Sequence, residues 1–247
     1  LEVAEIRVWG RGAARRDCGR TLMLRPCALC GGLFLAAAAF AAGDDGVPTR
    51  QLEFVPPPAG SYRLEHIMTA PDGTVLDTDD QPKPLTRFTT GKVTVLSFMY
   101  TSCSDAWGCP FAYQVMQELK KSLDHETALL PHLRFVSLSF DPEHDTPEAM
   151  RLYGGSHMAD TGGLPWYFLT TLSPVGLRPM LEGFGQDLSV VLDENGKSTG
   201  SLSHVLKVFL IDRRGSIREI YSTSFLLPQV VLNDIRTLLI EQGISVN

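Results

Sequence analysis

The run Val93–Tyr100, VTVLSFMY, is nearly all apolar, and a helix opens ten residues later on Pro110. A strand without alternation is covered on both faces, which is the mark of a sheet with helices packed on each side. The helix carries Phe111, Val115, Met116, Leu119 and Leu123 on one face, at helical spacing. A second buried run, Leu133–Phe140 (LRFVSLSF), follows and ends in Asp141-Pro142. Thr146, Pro147 and Glu148 then start another helix as cap, first-turn proline and first-turn acid. Trp166–Leu169 reads as a third strand, and Ser173-Pro174 opens a helix towards Phe184.

The last section changes character. His204–Ile211 (HVLKVFLI) and Ser216–Tyr221 (SIREIY) flank Asp212-Arg213-Arg214-Gly215, a hairpin signal. A closing helix over Pro228–Gln242 places Val231, Ile235, Leu238 and Leu239 on one face. Near the start, Tyr62–Leu76 reads as a hairpin turned at Pro71-Asp72-Gly73. Strand–helix–strand units followed by a hairpin and a helix predict an α/β, thioredoxin-like fold. Its sheet is mixed and mostly parallel, flanked by helices, with an N-terminal hairpin and an inserted hairpin-like extension.

The first residues follow another logic. Arg11, Arg15, Arg16, Arg20 and Arg25 precede an apolar run over Cys27–Ala42, which closes on Ala39-Phe40-Ala41. That is the order of a secretory signal, and about 16 residues is short for a bilayer span of roughly 20. Residues 1–42 are expected to be a cleaved signal peptide, with a retained membrane anchor as the minority alternative. Met23 offers a compact leader if residues 1–22 precede the true start. Cys27 and Cys30 lie inside this segment and carry no functional weight. Residues 43–59, rich in Gly, Pro and acids, read as a linker, and 60–247 as one domain. Without the six Arg and three acids of 1–42, 16 basic and 25 acidic residues remain, about −9. That balance argues against nucleic acid and suits a soluble exported protein, and the expected location is the periplasm.

Export makes the two remaining cysteines informative, because an oxidising compartment turns an unprotected dithiol into a disulfide. Cys103 and Cys109 stand in CSDAWGC, between the first strand and its helix. Functional groups of open α/β sheets gather beyond the carboxyl ends of the strands. Cys103 follows one such strand, and Asp141 ends the next. If the strand headed by His204 is antiparallel, His204 meets them at the same rim. Two thiolates and one imidazole favour copper, Cu(I) above all, whereas structural zinc wants a fourth protein ligand. The helix N-terminus beside Cys109 should favour a thiolate there. The plain alternative is a structural disulfide. His144, Asp105 and Trp107 are weaker candidates near the site, and His66, His125, His132 and His157 read as surface residues.

Three blocks, LSFMYTSC…CP, VSLSFDPEHDTPEAM and SHVLKVFLIDRRG, resemble the Sco/SenC family of thioredoxin-like copper proteins. The likeness spans about residues 60–242 and implies copper ligands at Cys103, Cys109 and His204. It also implies delivery of copper to an acceptor, an oxidase subunit in cytochrome c oxidase assembly. The family usually has three residues between the cysteines, whereas this chain has five. The leading expectation is therefore an exported metallochaperone for Cu(I)/Cu(II). A second is a thiol–disulfide oxidoreductase that uses Cys103 and Cys109 as a redox-active pair, served by a separate thiol reductant. A third, peroxiredoxin-like reading rests on Thr101 two residues before Cys103.

Overall fold

The computed structural model describes residues 54–159 and 162–246. The expected leader over 1–42 and the linker as far as residue 53 lie outside the described residues. Along the chain come β1 (Met68–Thr69), β2 (Thr74–Leu76), β3 (Pro82–Pro84), α1 (Thr86–Thr89), β4 (Val93–Met99) and α2 (Cys109–Leu123). A 3-10 turn at Leu130–His132 leads to β5 (Leu133–Ser139), α3 (Pro147–Gly154), α4 (Ser156–Ala159), β6 (Trp166–Leu169) and α5 (Pro174–Gly183). The chain closes with β7 (Leu188–Leu192), β8 (Ser198–His204), β9 (Val208–Ile211), β10 (Ser216–Tyr221) and α6 (Pro228–Glu241).

Six strands form a mixed sheet in the order β1-β10-β9-β4-β5-β6. β4 and β5 pair in parallel from Val93–Leu133 to Met99–Ser139, and β6 continues in parallel beside β5. β9 runs antiparallel to β4, with Ser97 opposite Val208, and β10 and β1 extend the antiparallel side. Every residue of β4 and β5 is buried, as the unbroken apolar runs require. Most of their polar groups are bonded, although Arg134 Nε is buried without a partner: the Ser137 hydroxyl accepts from Trp166 Nε1 at 3.0 Å, and Thr94 donates to the Phe88 carbonyl at 3.1 Å. The fold is α/β and thioredoxin-like.

The helices bury the faces that their periodicity marks. Phe111, Val115, Met116, Leu119 and Leu123 of α2 are buried, as are Val231, Ile235, Leu238 and Leu239 of α6. These two helices pack on one another and on β4. Thr146 caps α3 by accepting from Ala149 N at 3.2 Å, and Ser173 caps α5 by accepting from Gly176 N at 3.3 Å. The β9–β10 turn needs the left-handed backbone of Gly215 (φ 81°), and Asp212 Oδ1 accepts from Arg214 N and Ser216 N around it. Residues 57–64 form a strap along α6. Asn233 donates to the Pro57 carbonyl at 2.8 Å, Gly60 N donates to Thr237 Oγ1 at 2.9 Å, and Leu64 N donates to Glu241 Oε1 at 3.4 Å.

Two expected elements are built differently. The N-terminal hairpin is not Tyr62–Leu76 but β2–β3, with Thr74 opposite Pro84. Its turn is made by Asp77, whose carboxylate accepts from Asp79 N and whose carbonyl accepts from Asp80 N. Pro71-Asp72-Gly73 instead makes a corner, where the Asp72 carboxylate accepts from Thr86 N at 2.9 Å. The open edge of β10 takes Met68 and Thr69, so a tertiary partner wins over the local return.

His204 does not head β9. It ends β8, opposite Leu188 in the inserted hairpin β7–β8, and β9 begins only at Val208. The intervening backbone is held at the hairpin neck, where Gln186 Nε2 donates to the Val205 carbonyl at 2.8 Å and Lys207 Nζ to the Gly185 carbonyl. Because Val208 faces Ser97 near the end of β4, His204 still arrives at the carboxyl rim of the parallel strands.

Candidate metal centre

At that rim the loop between β4 and α2 folds on itself. Cys103 N donates to the Tyr100 carbonyl at 3.2 Å, and Gly108 N to the Asp105 carbonyl at 2.9 Å. The Asp105 carboxylate accepts from Trp107 N at 3.0 Å. Gly108 precedes the helix at φ −95° and ψ −125°, and a Cβ there would stand 3.3 Å from both the carbonyl and a carboxylate oxygen of Asp105. The close approach of these backbones is what glycine permits. Trp107, partly exposed, lies over Phe111 with ring centroids 5.5 Å apart.

The loop is tied to its neighbour strand by Asp145, a buried residue of the block after β5. Its carboxylate accepts from Thr101 N at 3.1 Å, from the Thr101 hydroxyl, and from the Ser139 hydroxyl at 2.5 Å. Thr101 therefore donates its hydroxyl proton to Asp145. Asp145 was not singled out from sequence, although it stands in FDPEHDTPE; a buried carboxylate binding three donors has no periodic signature. Tyr100 is another such residue. Its hydroxyl donates to the Leu202 carbonyl at 3.3 Å and accepts from Leu202 N at 3.4 Å, so it links the end of β4 to β8.

These elements bring Cys103, Cys109 and His204 together. One ligand atom from each lies within 4.8 Å of the other two, and Cys109 Sγ is 3.6 Å from His204 Nε2. Both thiols are free; Cys109 is buried and Cys103 half-buried. The imidazole packs on Phe140, with centroids 4.4 Å apart, and edge-on to Tyr100 at 6.3 Å. Its Nδ1 is buried without a hydrogen-bond partner. Among the described residues, no other group of three His, Cys, Asp or Glu has metal-site geometry. His144 stands apart, bonded to Asp141 at 2.8 Å with its side chain exposed. His157 is not a simple surface residue, since it packs between Tyr113 and Trp166 and bonds Gln117 at 2.9 Å.

The thiolate falls on the other sulfur from the one expected. The hydrogen bond from Cys109, with a further one from His204, holds Cys103 down at about 4 against the opposing effect of burial. Cys109 is pushed well above an ordinary thiol, because it donates to Cys103 and is buried. The helix N-terminus beside Cys109 does not overcome these two effects. The two sulfurs share one proton, with the charge on the more accessible atom. A thiolate, a thiol and an imidazole, with no carboxylate among them, form a soft donor set.

The comparisons bear on the family and the fold. The SCO1/SenC family profile matches residues 70–240. No curated protein matches the sequence. Among solved structures, the chain is similar to a SCO1/SenC family lipoprotein from Bacillus anthracis, with 25% identity and a TM-score of 0.55 over 69% of this chain and 94% of that one. It is similar to Bradyrhizobium japonicum ScoI with copper bound, at 19% identity and a TM-score of 0.55 over 69% and 99%. BsSco, described as having a disulfide switch and belonging to the Sco family of cytochrome c oxidase assembly proteins, matches at 20% identity and a TM-score of 0.54 over 72% and 98%. No helix among the described residues is long and apolar enough to cross a membrane. With the profile covering more than two thirds of its length and the site built on the same scaffold, the chain belongs to the SCO1/SenC family.

Proposed function

We propose that this protein is an exported copper metallochaperone that holds one copper ion through Cys103, Cys109 and His204 and passes it to an acceptor. The observation that carries the reading is the convergence of three donors from distant parts of the chain within 4.8 Å of one another. Two sulfurs suffice for Cu(I), and the imidazole adds the nitrogen that Cu(II) favours. Transfer would proceed by thiolate exchange: an acceptor cysteine binds the cargo ion as Cys103, the more accessible sulfur, lets go. The acceptor we infer is the copper site of a respiratory oxidase subunit, in line with the assembly role named for BsSco. We place the protein in the periplasm behind the signal expected over residues 1–42, with a membrane-anchored form as the alternative.

Anaerobic copper reconstitution of residues 43–247 tests the site. One copper per chain and a sulfur-to-Cu(II) charge-transfer band are expected, with both lost on Cys103→Ala or Cys109→Ala. His204→Ala should weaken Cu(II) binding sharply; an unchanged Cu(II) affinity would sink the three-ligand site.

A second reading, a thiol–disulfide oxidoreductase, draws support from the asymmetry of the sulfurs. Cys103 has the lowered thiol of an attacking nucleophile and Cys109 the buried thiol of a resolving one. Cys103 would attack an acceptor disulfide, and Cys109 would then release the acceptor as a dithiol, leaving Cys103–Cys109 oxidised. A separate thiol reductant would restore the pair. His204 separates the readings, since reductase activity largely retained in His204→Ala, with Cu(II) binding lost, favours this one.

A further inference from the structure

A histidine that holds a metal usually donates its second ring nitrogen to a fixed acceptor, which sets the orientation of the ring. His204 has no such partner: Nδ1 is buried and unbonded. Ring packing against Phe140 and Tyr100 restrains its tilt. The height and direction of the ring above the sulfurs must then be set by the backbone that carries it.

That backbone is fastened at the neck of the β7–β8 hairpin. Gln186 stands just before the hairpin and Val205 just after it, and Gln186 Nε2 donates to the Val205 carbonyl at 2.8 Å. Gln186 is only 4% exposed. Its Oε1 is buried with no partner, so the amide bears the cost of an unsatisfied oxygen. A leucine of similar size would avoid that cost but could not make the single bond to the residue that follows His204. The side chains of β7 beyond Leu188 are exposed, so apart from Leu188, Leu202 and the Tyr100–Leu202 bonds the hairpin offers little packing to fix its base.

We infer that Gln186 is a positioning residue for His204, closing the hairpin neck so that the imidazole is presented to Cys103 and Cys109. The inference rests on the copper site proposed above and adds a residue outside the ligand set. Gln186 touches neither sulfur nor metal in this scheme; it acts through the backbone of Val205. Cu(II), which uses the imidazole, should depend on Gln186, whereas Cu(I), held by the two sulfurs, should hardly notice it.

The test compares wild type, Gln186→Leu, His204→Ala and the double variant, measuring Cu(II) and Cu(I) affinities by competition and recording the Cu(II) charge-transfer spectrum. Gln186→Leu is expected to weaken Cu(II) at least tenfold, in the range of about 10–100-fold found for residues that orient metal ligands, and to shift the band. Its Cu(I) affinity should change less than about threefold on the same argument. In the His204→Ala background, Gln186→Leu should have no further effect on Cu(II), as coupled residues in a double-mutant cycle behave. An equal loss of Cu(II) affinity with and without His204 would mean that Gln186 serves the fold at large and would overturn the inference, as would unchanged Cu(II) affinity and spectrum in Gln186→Leu. If His204→Ala alone leaves Cu(II) binding intact, the ligand set fails first and this inference falls with it.

Discussion

Cys109 Sγ lies 3.6 Å from His204 Nε2, although ninety-five residues separate them in sequence. The contact is made at the carboxyl rim of the sheet, where α2 begins and the β7–β8 hairpin ends. It turns a two-cysteine loop into a three-donor cluster, and it leaves the cluster electrostatically lopsided. Cys103 carries the charge because Cys109 donates to it, and Cys109 keeps its proton because of that same bond and then because it is buried.

This asymmetry predicts selective alkylation. In reduced, metal-free protein, Cys103 sits at about 4, so its thiolate is already complete in mildly acidic solution. Its reaction with iodoacetamide should be nearly independent of pH from about 6 to 8, because the rate follows the thiolate fraction. Cys109 should stay unmodified while the fold persists. In Cys109→Ala the plateau should move to higher pH, since the hydrogen bond from Cys109 is the largest cause of the shift. Mass spectrometry of each peptide against pH reads the result. A Cys103 rate that climbs through pH 7–9 in wild type contradicts the shared proton.

Asp145 predicts a loss of stability centred on the loop after β4. Its carboxylate is buried and accepts from Thr101 N, the Thr101 hydroxyl and the Ser139 hydroxyl. Asp145→Ala leaves buried donors unpaired and should cost about 2–4 kcal/mol, as expected for hydrogen bonds to a charged group. Asp145→Asn keeps the volume and part of the acceptor capacity and should cost less. Urea denaturation of the metal-free protein measures both. Equal, small effects of the two substitutions would show that the three bonds do not hold the loop.

What the sequence reveals and what it hides divide along physical lines. β4, β5, α2 and α6 are legible because burial on two faces or one imposes a pattern on Val93–Met99, Leu133–Ser139 and the faces of Val115 and Ile235. The cysteine pair is legible because few other thiols compete for attention. The break at Val205–Lys207 is not, since HVLKVFLI is apolar enough to read as one strand. The bonds that interrupt it, from Gln186 to the Val205 carbonyl and from Lys207 to the Gly185 carbonyl, tie it to residues about twenty positions earlier. Pro71-Asp72-Gly73 misleads for the opposite reason: its turn chemistry is real, but the edge of β10 decides what Met68 and Thr69 pair with. The thiolate is placed on the wrong cysteine by helix polarity alone, because the depth of Cys109 and its distance to Cys103 are three-dimensional facts.

High pH should unfold the protein through a carboxylate that binds two phenols. Tyr62 donates to Asp234 Oδ1 at 2.5 Å and Tyr221 to Oδ2 at 2.7 Å. Burial first, then Asp234, pushes Tyr62 up to about 12, and burial raises Tyr221 well above 10. Above pH 10 the unfolded chain loses phenolic protons that the folded chain keeps, so this stability is whole below pH 10 and is lost as pH rises through about 12. Urea midpoints should fall steeply above about pH 10 for this reason. Tyr62→Phe should be less stable at neutral pH yet lose stability less steeply in that window. Parallel curves for the two proteins would mean that Tyr62 does not titrate with unfolding.

Copper should act as a folding ligand of this site, and its removal should reverse the effect. A ion that binds the folded chain alone, at a free concentration 100 times its Kd, stabilises by about 2.7 kcal/mol. For a domain of this size that corresponds to a rise in Tm of roughly 5–10 °C. Loading anaerobic, reduced protein with Cu(I) should raise the Tm, and a Cu(I) chelator should return it to the starting value. His204→Ala should keep most of the Cu(I) shift, because the two sulfurs remain, but lose most of the Cu(II) shift. Cys103→Ala and Cys109→Ala should each lose both. Thermal unfolding monitored by circular dichroism, with copper content measured in the same samples, distinguishes these patterns. A Cu(I) shift that survives removal of either cysteine places the ion elsewhere.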